Sequence, residues 1–310
     1  PRRRGGGKLR EDSHAVARAN AQQMTVDQHR RAARGLAHIG VIDWLLEHDY
    51  RIDSVAGASM GALVGGIYAA GKLDSYRKWV VALERTDVLR YLDLAFSSEG
   101  LIKGDRLIDT LKTMVGEHAI EDLPISYTAV ATDLARQREV WLTEGPLFDA
   151  IRASMAIPTI FTPHTCQGIK LLDGGMLNPV PIAPTFKDMT DMTVAVNLNA
   201  PRSSRGPAAA TVKKKKHEDT NGYRRIINEF LDRFQSDEPN SHAGELNLLE
   251  LLSNSFETMQ AAISNAKLAS YPPDVLINIP RDACKDYEFD RAAELIDLGY
   301  HVAADAIRNM

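Results

Sequence analysis

Cysteine is nearly absent from this 310-residue sequence: only Cys166 and Cys284 occur, so no disulfide framework holds the fold. A reducing, cytoplasmic setting is the expectation that follows. Charge of one sign is lacking too. With 37 Lys/Arg against 41 Asp/Glu the formal net charge is −4, which gives no general attraction to nucleic acid, and no nucleic-acid partner is expected. No apolar run reaches the roughly 20 residues of a membrane span. No apolar stretch follows the basic start, so no signal peptide is read there. No His/Cys/Asp/Glu cluster has metal-ligand spacing, and neither metal nor cofactor is expected. What remains is ordinary: 44% hydrophobic and 25% charged residues, in a chain long enough to bury a substantial core.

One stretch stands apart. Ile52 to Ala56 reads as a buried strand, Gly57-Ala58-Ser59-Met60-Gly61 follows, and the small residues Ala62 to Ala70 read as a helix. This is a Gly-x-Ser-x-Gly elbow in the strand–turn–helix setting that lifts a serine hydroxyl clear of a sheet. Glycines two positions either side let strand and helix pass closely. The helix aims its first amides, Met60 among them, where negative charge develops in acyl transfer. Gly57, Gly61 and Gly65 also form a small-residue ladder, as in paired membrane helices. The run is too short and too rich in glycine and alanine for that, and a purely structural turn is the other competing reading.

The rest of the chain divides by composition. Residues 1–32 are basic, and Pro1 to Arg34 carries nine Lys/Arg against Glu11, Asp12 and Asp27, so a flexible segment is expected. Gly5-Gly6-Gly7-Lys8 lacks the strand and the hydroxyl residue of a phosphate loop. Residues 33–200 are expected to form the catalytic domain. Helices are predicted over Gly35–Tyr50, Leu73–Leu83, from Asp105 as cap to Val115, and from Pro146 to Ser154; strands over Ile125–Ala131, Glu139–Leu142, Gly168–Leu172 and Met192–Leu198. Residues 201–221, with Lys213 to Lys216, read as a charged linker. Residues 222–310 are expected to complete the same domain with helices over Tyr223–Phe234, Glu245–Leu268 and Asp290–Ile307, and a strand over Asp274–Ile279. Alternating strands and helices predict an α/β fold with a mainly parallel sheet.

A serine hydroxyl needs a base to take its proton. The histidines after Asp173 are His217, His242 and His301, and none falls in a strand-end loop. Asp173 does, ending a strand before Gly174-Gly175, and a Ser59–Asp173 dyad is chemically workable. His38, beside an apolar helical stripe, reads as a core or supporting residue, and Cys166 as packing.

Ala33-Arg34-Gly35-Leu36-Ala37-His38-Ile39-Gly40-Val41, Gly57-Ala58-Ser59-Met60-Gly61 and Asp173-Gly174-Gly175 together resemble the patatin-like phospholipase family. Ala153-Ser154-Met155-Ala156-Ile157-Pro158, Phe161 and Asn178-Pro179-Val180-Pro181 extend the resemblance over Ala33 to Asn199. It implies a three-layer α/β/α sandwich and hydrolysis of lipid acyl esters through an acyl-enzyme, with Ser59 as nucleophile and Asp173 as base. It also implies lipid substrates and transient peripheral contact with membranes. One departure stands out. The family begins with an apolar strand and a Gly-Gly-Gly-x-Arg/Lys-Gly loop whose amides form the oxyanion hole. The matching positions here, Arg30-Arg31-Ala32-Ala33-Arg34-Gly35, keep only Arg34 and Gly35. Losing one oxyanion donor typically costs on the order of 10²–10³ in rate. A catalytically impaired lipid-binding or regulatory protein is therefore the second expectation, and a histidine triad using His301 the third.

Overall fold

The computed structural model describes residues 33–83, 104–158, 160–201, 248–281, 283 and 291–308. The basic first segment to Ala32, the linker with its lysine run, the helix predicted over Tyr223–Phe234, His217, His242 and Cys284 lie outside the described residues.

The chain enters through α1 (Ala37–Glu47), then β1 (Ser54–Ala58), α2 (Met60–Ala69) and α3 (Leu73–Ala82). Next come α4 (Asp105–Val115), the hairpin β2 (Ser126–Asp133) and β3 (Arg138–Leu142), and α5 (Leu147–Ser154). A second hairpin follows, β4 (His164–Cys166) and β5 (Ile169–Asp173), then β6 (Val194–Ala200), α6 (Leu248–Ser270), β7 (Val275–Pro280) and α7 (Ala292–Arg308). Helix α4 starts at Asp105 itself; its cap is Gly104, whose φ of 72° suits glycine, and not the Asp105 side chain. Strand β4 went unpredicted because three residues carry no readable alternation; Gln167 and Gly168, both at positive φ, form its turn.

The family's three-layer α/β/α fold is present, with a mixed sheet where a mainly parallel one was expected. Among the described residues β1–β2 and β6–β7 are parallel, whereas β2–β3, β2–β5 and β4–β5 are antiparallel. The short turns within β2–β3 and β4–β5 leave no room for a crossover helix, so both pairs must reverse direction. A core of Ile39, Leu63, Ile67, Leu111, Tyr127, Phe148 and Ile151 fills one region, joining α2, α3, α4 and α5 to β2. A second core packs Val41, Trp44 and Leu45 of α1 and Ala303, Ala304 and Ile307 of α7 against Val275, Ile277 and Ile279 of β7. Helix α6 packs against the other face of β6, where Leu268 and Tyr271 meet Val180, Ile182 and Ala195. Lys267 Nζ, 3.4 Å from the Glu139 carboxylate on β3, ties that helix down.

Helices α1 and α7 cross with backbone against backbone. A Cβ on Gly299 would lie 2.0 Å from the Ala37 carbonyl oxygen, and one on Gly40 would lie 1.8 Å from that of Ile296. Gly299→Ala is expected to push the helices apart and destabilise the fold by about 1–3 kcal/mol. The check is a lower urea midpoint with unchanged slope.

Candidate active site

Strand β2 organises the site. Its one edge carries β3, paired over Ala129–Asp133. Its other edge carries β1, which ends with Ala58 opposite Val130, and then β5, which arrives from the opposite direction and ends with Asp173 opposite Ala131. Strands β1 and β5 therefore meet end to end on consecutive rungs of a single edge, and both chains must turn away at once. Strand β1 turns at Ser59, and β5 turns at Gly174 into a 3₁₀ segment, Gly174–Met176. It is thus the antiparallel entry of β5, not a second parallel strand, that brings Asp173 to the end of β1.

The turn at Ser59 is strained. Its φ of 53° and ψ of −121° lie outside the regions that suit a residue with a Cβ, at a cost of order 1–3 kcal/mol. Close contact holds it there. A Cβ on Gly57 would sit 2.3 Å from the Gly61 carbonyl carbon and 2.4 Å from the Ala62 nitrogen, so strand and helix pass with no side chain between them. Gly61 has more room: its Cβ would meet only the His38 Nε2, at 3.8 Å. Ser154, buried at the end of α5, completes the clamp. Its Oγ accepts the Ser59 N–H at 3.0 Å and donates to the Val130 carbonyl at 2.6 Å. The first bond of α2 runs from the Leu63 N–H to the Ser59 carbonyl at 3.1 Å, which leaves the amides of Met60, Gly61 and Ala62 ahead of the helical ladder.

Asp173 is 2% exposed, with its N–H bonded to the Ala156 carbonyl at 3.0 Å and its carbonyl accepting the Thr132 hydroxyl at 2.9 Å. Its Oδ1 accepts the Gly175 N–H at 2.7 Å. The carbonyl of Gly175 in turn accepts Gln260 Nε2 of α6 at 3.0 Å.

Ser59, Asp173, Arg34, Met60, Gly57, Gly61 and Gly175 line one cavity of about 720 Å³. Its other walls fall into two sets. One holds Trp79, Val80, Leu107, Leu111, Ile160 and Phe161, and the other holds residues of β1 and β6. Gly35 and Gly174 are buried and not among the lining residues. Arg34 is 3% exposed and donates from Nη1 to the Leu198 carbonyl at 3.1 Å. His301 is exposed on α7 and does not line the cavity, which removes the structural basis for the triad reading.

His38, expected to be a core or supporting residue, lines the cavity beside the elbow. Its Nδ1 is 2.8 Å from the Gly35 carbonyl, so Nδ1 carries the proton and Nε2 is the open nitrogen. Burial pushes its pKa below the usual 6.5, partly opposed by that bond. A ring with a lower pKa folded than unfolded leaves the unfolded state holding more protons below 6.5, so stability is complete above that value and is lost as pH falls. His38→Gln is expected to flatten the pH dependence of the urea midpoint on the acid side. Gln260 and Ser154 were missed as site residues. A polar residue inside an otherwise apolar stretch, as Ser154 is, was the available signal; Gln260 lies beyond the resemblance and had none.

A family profile described as Patatin-like phospholipase matches residues 32–186. An NTE family protein of Mycobacterium tuberculosis is 37% identical over 89% of this chain and 88% of its own length. The chain belongs to the patatin-like phospholipase family. Lysophospholipase NTE1 of Scheffersomyces stipitis is 29% identical over 54% of this chain and 11% of its own length, and neuropathy target esterase sws of Drosophila sechellia is 31% identical over 48% and 11%. At the level of the family these similarities support a lipid acyl hydrolase.

Proposed function

We propose that this chain cleaves lipid acyl esters, of the phospholipase A, lysophospholipase or esterase type, through a Ser59–Asp173 dyad. The observation that carries the reading is the end-to-end meeting of β1 and β5 on one edge of β2, which delivers a strained serine and a buried carboxylate to one cavity. Asp173 takes the Ser59 proton while Oγ attacks the ester carbonyl. The tetrahedral oxyanion collapses, the alcohol leaves with the proton, and water then releases the fatty acid from the acyl-enzyme. The amides of Met60 and its neighbours at the start of α2 face the developing charge. The apolar wall of Trp79, Leu107, Leu111 and Phe161 suits an acyl chain. No helix among the described residues is long and apolar enough to cross a membrane. The lipid substrate implies transient peripheral contact with a bilayer.

One observation favours a second reading, a lipid-binding or regulatory protein with impaired turnover: the glycine loop is reduced to Arg34 and Gly35. A fluorophosphonate probe separates the two. Covalent labelling mapped to Ser59 supports the hydrolase, and no labelling of the folded chain supports the impaired module.

A further inference from the structure

Helix α6 turns one stripe of residues inward: Phe256, Gln260, Ser264, Lys267, Leu268 and Tyr271 recur at helical spacing. Leu268 and Tyr271 meet Val180, Ile182 and Ala195, Lys267 reaches Glu139, and the buried Ser264 hydroxyl accepts Asn199 Nδ2 at 3.4 Å. Phe256 and Gln260 continue the stripe to the wall of the cavity. A glutamine amide on a packed face costs free energy unless its hydrogen bonds are made. Gln260 makes one to the Gly175 carbonyl at 3.0 Å. A carbonyl oxygen can only accept, which fixes the orientation of the amide with Nε2 toward Gly175.

Gly175 is held from both sides. Its N–H donates to Asp173 Oδ1 at 2.7 Å, and its carbonyl accepts from Gln260. The turn aims its own next donors elsewhere: the amides of Leu177 and Asn178 both go to the Gly174 carbonyl, at 3.2 and 2.9 Å. The groups around Gly175 are packed to contact, since a Cβ there would lie 2.8 Å from Gln260 Nε2 and 2.9 Å from Asp173 Oδ1. One residue without a side chain therefore separates α6 from the carboxylate. A glycine anchored only by its N–H would swing that N–H whenever its carbonyl moved, because its φ and ψ are free. Fixing the carbonyl fixes the direction of the N–H.

We propose that Gln260 is a positioning residue: by holding the Gly175 carbonyl it keeps the Gly175 N–H on Oδ1 and so fixes where the Asp173 carboxylate stands in the cavity. A base must be held in place for the proton it takes, and a misplacement of about 1 Å can cost on the order of 10²-fold in rate. Gln260 acts through Gly175 and exchanges no proton itself. The catalytic meaning of this contact rests on the Ser59–Asp173 reading. The coupling of α6 to the carboxylate does not, so the first measurement below reads no turnover.

The test compares Gln260→Met, Gln260→Glu and Gln260→Lys in the full chain. Methionine and ionised glutamate match glutamine in length and offer a carbonyl no donor, whereas lysine keeps one. The Gly175 amide should exchange about 3- to 10-fold faster in the Met and Glu variants and at nearly the wild-type rate in the Lys variant, while the amides of Ile277 and Ile279 in β7 keep their rates. In the same two variants kcat on a lysophospholipid should fall about 10-fold with KM within about twofold, and Gln260→Lys should restore it. Unchanged exchange at Gly175 in Gln260→Met overturns the proposal. So does faster exchange spread evenly over α6 and β7 with a lower melting temperature, which assigns Gln260 to packing alone. Asp173→Asn, measured in parallel, separates the two readings. If it is inactive while Gln260→Met is fully active, the dyad stands and the positioning role falls; if Asp173→Asn is fully active, the dyad has failed and takes the positioning role with it. In a chain without turnover the exchange result alone decides.

Discussion

Ser59→Ala is expected to lower kcat on a lysophospholipid or aryl ester by at least about 10⁴-fold, with the fold intact. Removing a nucleophile that acts with a base as a unit removes the covalent route, and what remains is positioning and electrostatics. The fold survives because the Ser59 clamp is a backbone one: its N–H holds the Ser154 hydroxyl, and alanine keeps that N–H. Alanine also tolerates φ 53° no worse than serine. Asp173→Asn is expected to cost about 10²–10⁴-fold in kcat, since it removes the base and keeps a side-chain oxygen for the Gly175 N–H. Steady-state kinetics beside a thermal melt make the check. Unchanged turnover in either variant refutes the dyad. Loss in Ser59→Ala with full activity in Asp173→Asn keeps the nucleophile and requires another base, for which His38 is the cavity's open nitrogen.

Much of this geometry was legible because local chemistry announced it. The elbow falls where Gly57 and the small residues after Ser59 permit strand and helix to touch, and observed β1 and α2 lie within about two residues of their predicted bounds. Asp173 was legible as a strand end before two glycines. The way Asp173 reaches Ser59 was not. It depends on β5 sharing an edge of β2 with β1, through two separate pairings, Ala58 with Val130 and Asp173 with Ala131, that no local pattern encodes. The departure at Arg30 to Ala33 was plain in the sequence, and those positions to Ala32 lie outside the described residues.

The second large effect is expected at Gly174. Strand β5 ends against β2 so closely that a Cβ there would lie 2.0 Å from the Val130 carbonyl oxygen, 2.6 Å from its carbon and 3.2 Å from the Ala131 nitrogen. All three are backbone atoms of a strand paired on both edges, so no rotamer relieves the contact. At Gly299 two helices can slide apart; here relief requires β5 to leave β2, which breaks the Ala131–Asp173 rung. Gly174→Ala is therefore expected to cost at the upper end of overpacking or beyond, about 3 kcal/mol or more, read as a lower urea midpoint. Molecules that still fold should carry Asp173 displaced from Ser59, so kcat falls as in Asp173→Asn although the carboxylate is present. The Val130 carbonyl also accepts the Ser154 hydroxyl that holds the Ser59 N–H, so one added methyl strains both ends of the meeting point. Gly175→Ala is the comparison. Its Cβ would meet the Gln260 amide nitrogen at 2.8 Å and Asp173 Oδ1 at 2.9 Å, both side-chain atoms that can give way. A smaller loss of stability there than at Gly174 places the constraint in the β2 backbone, and equal losses would place it in the turn itself.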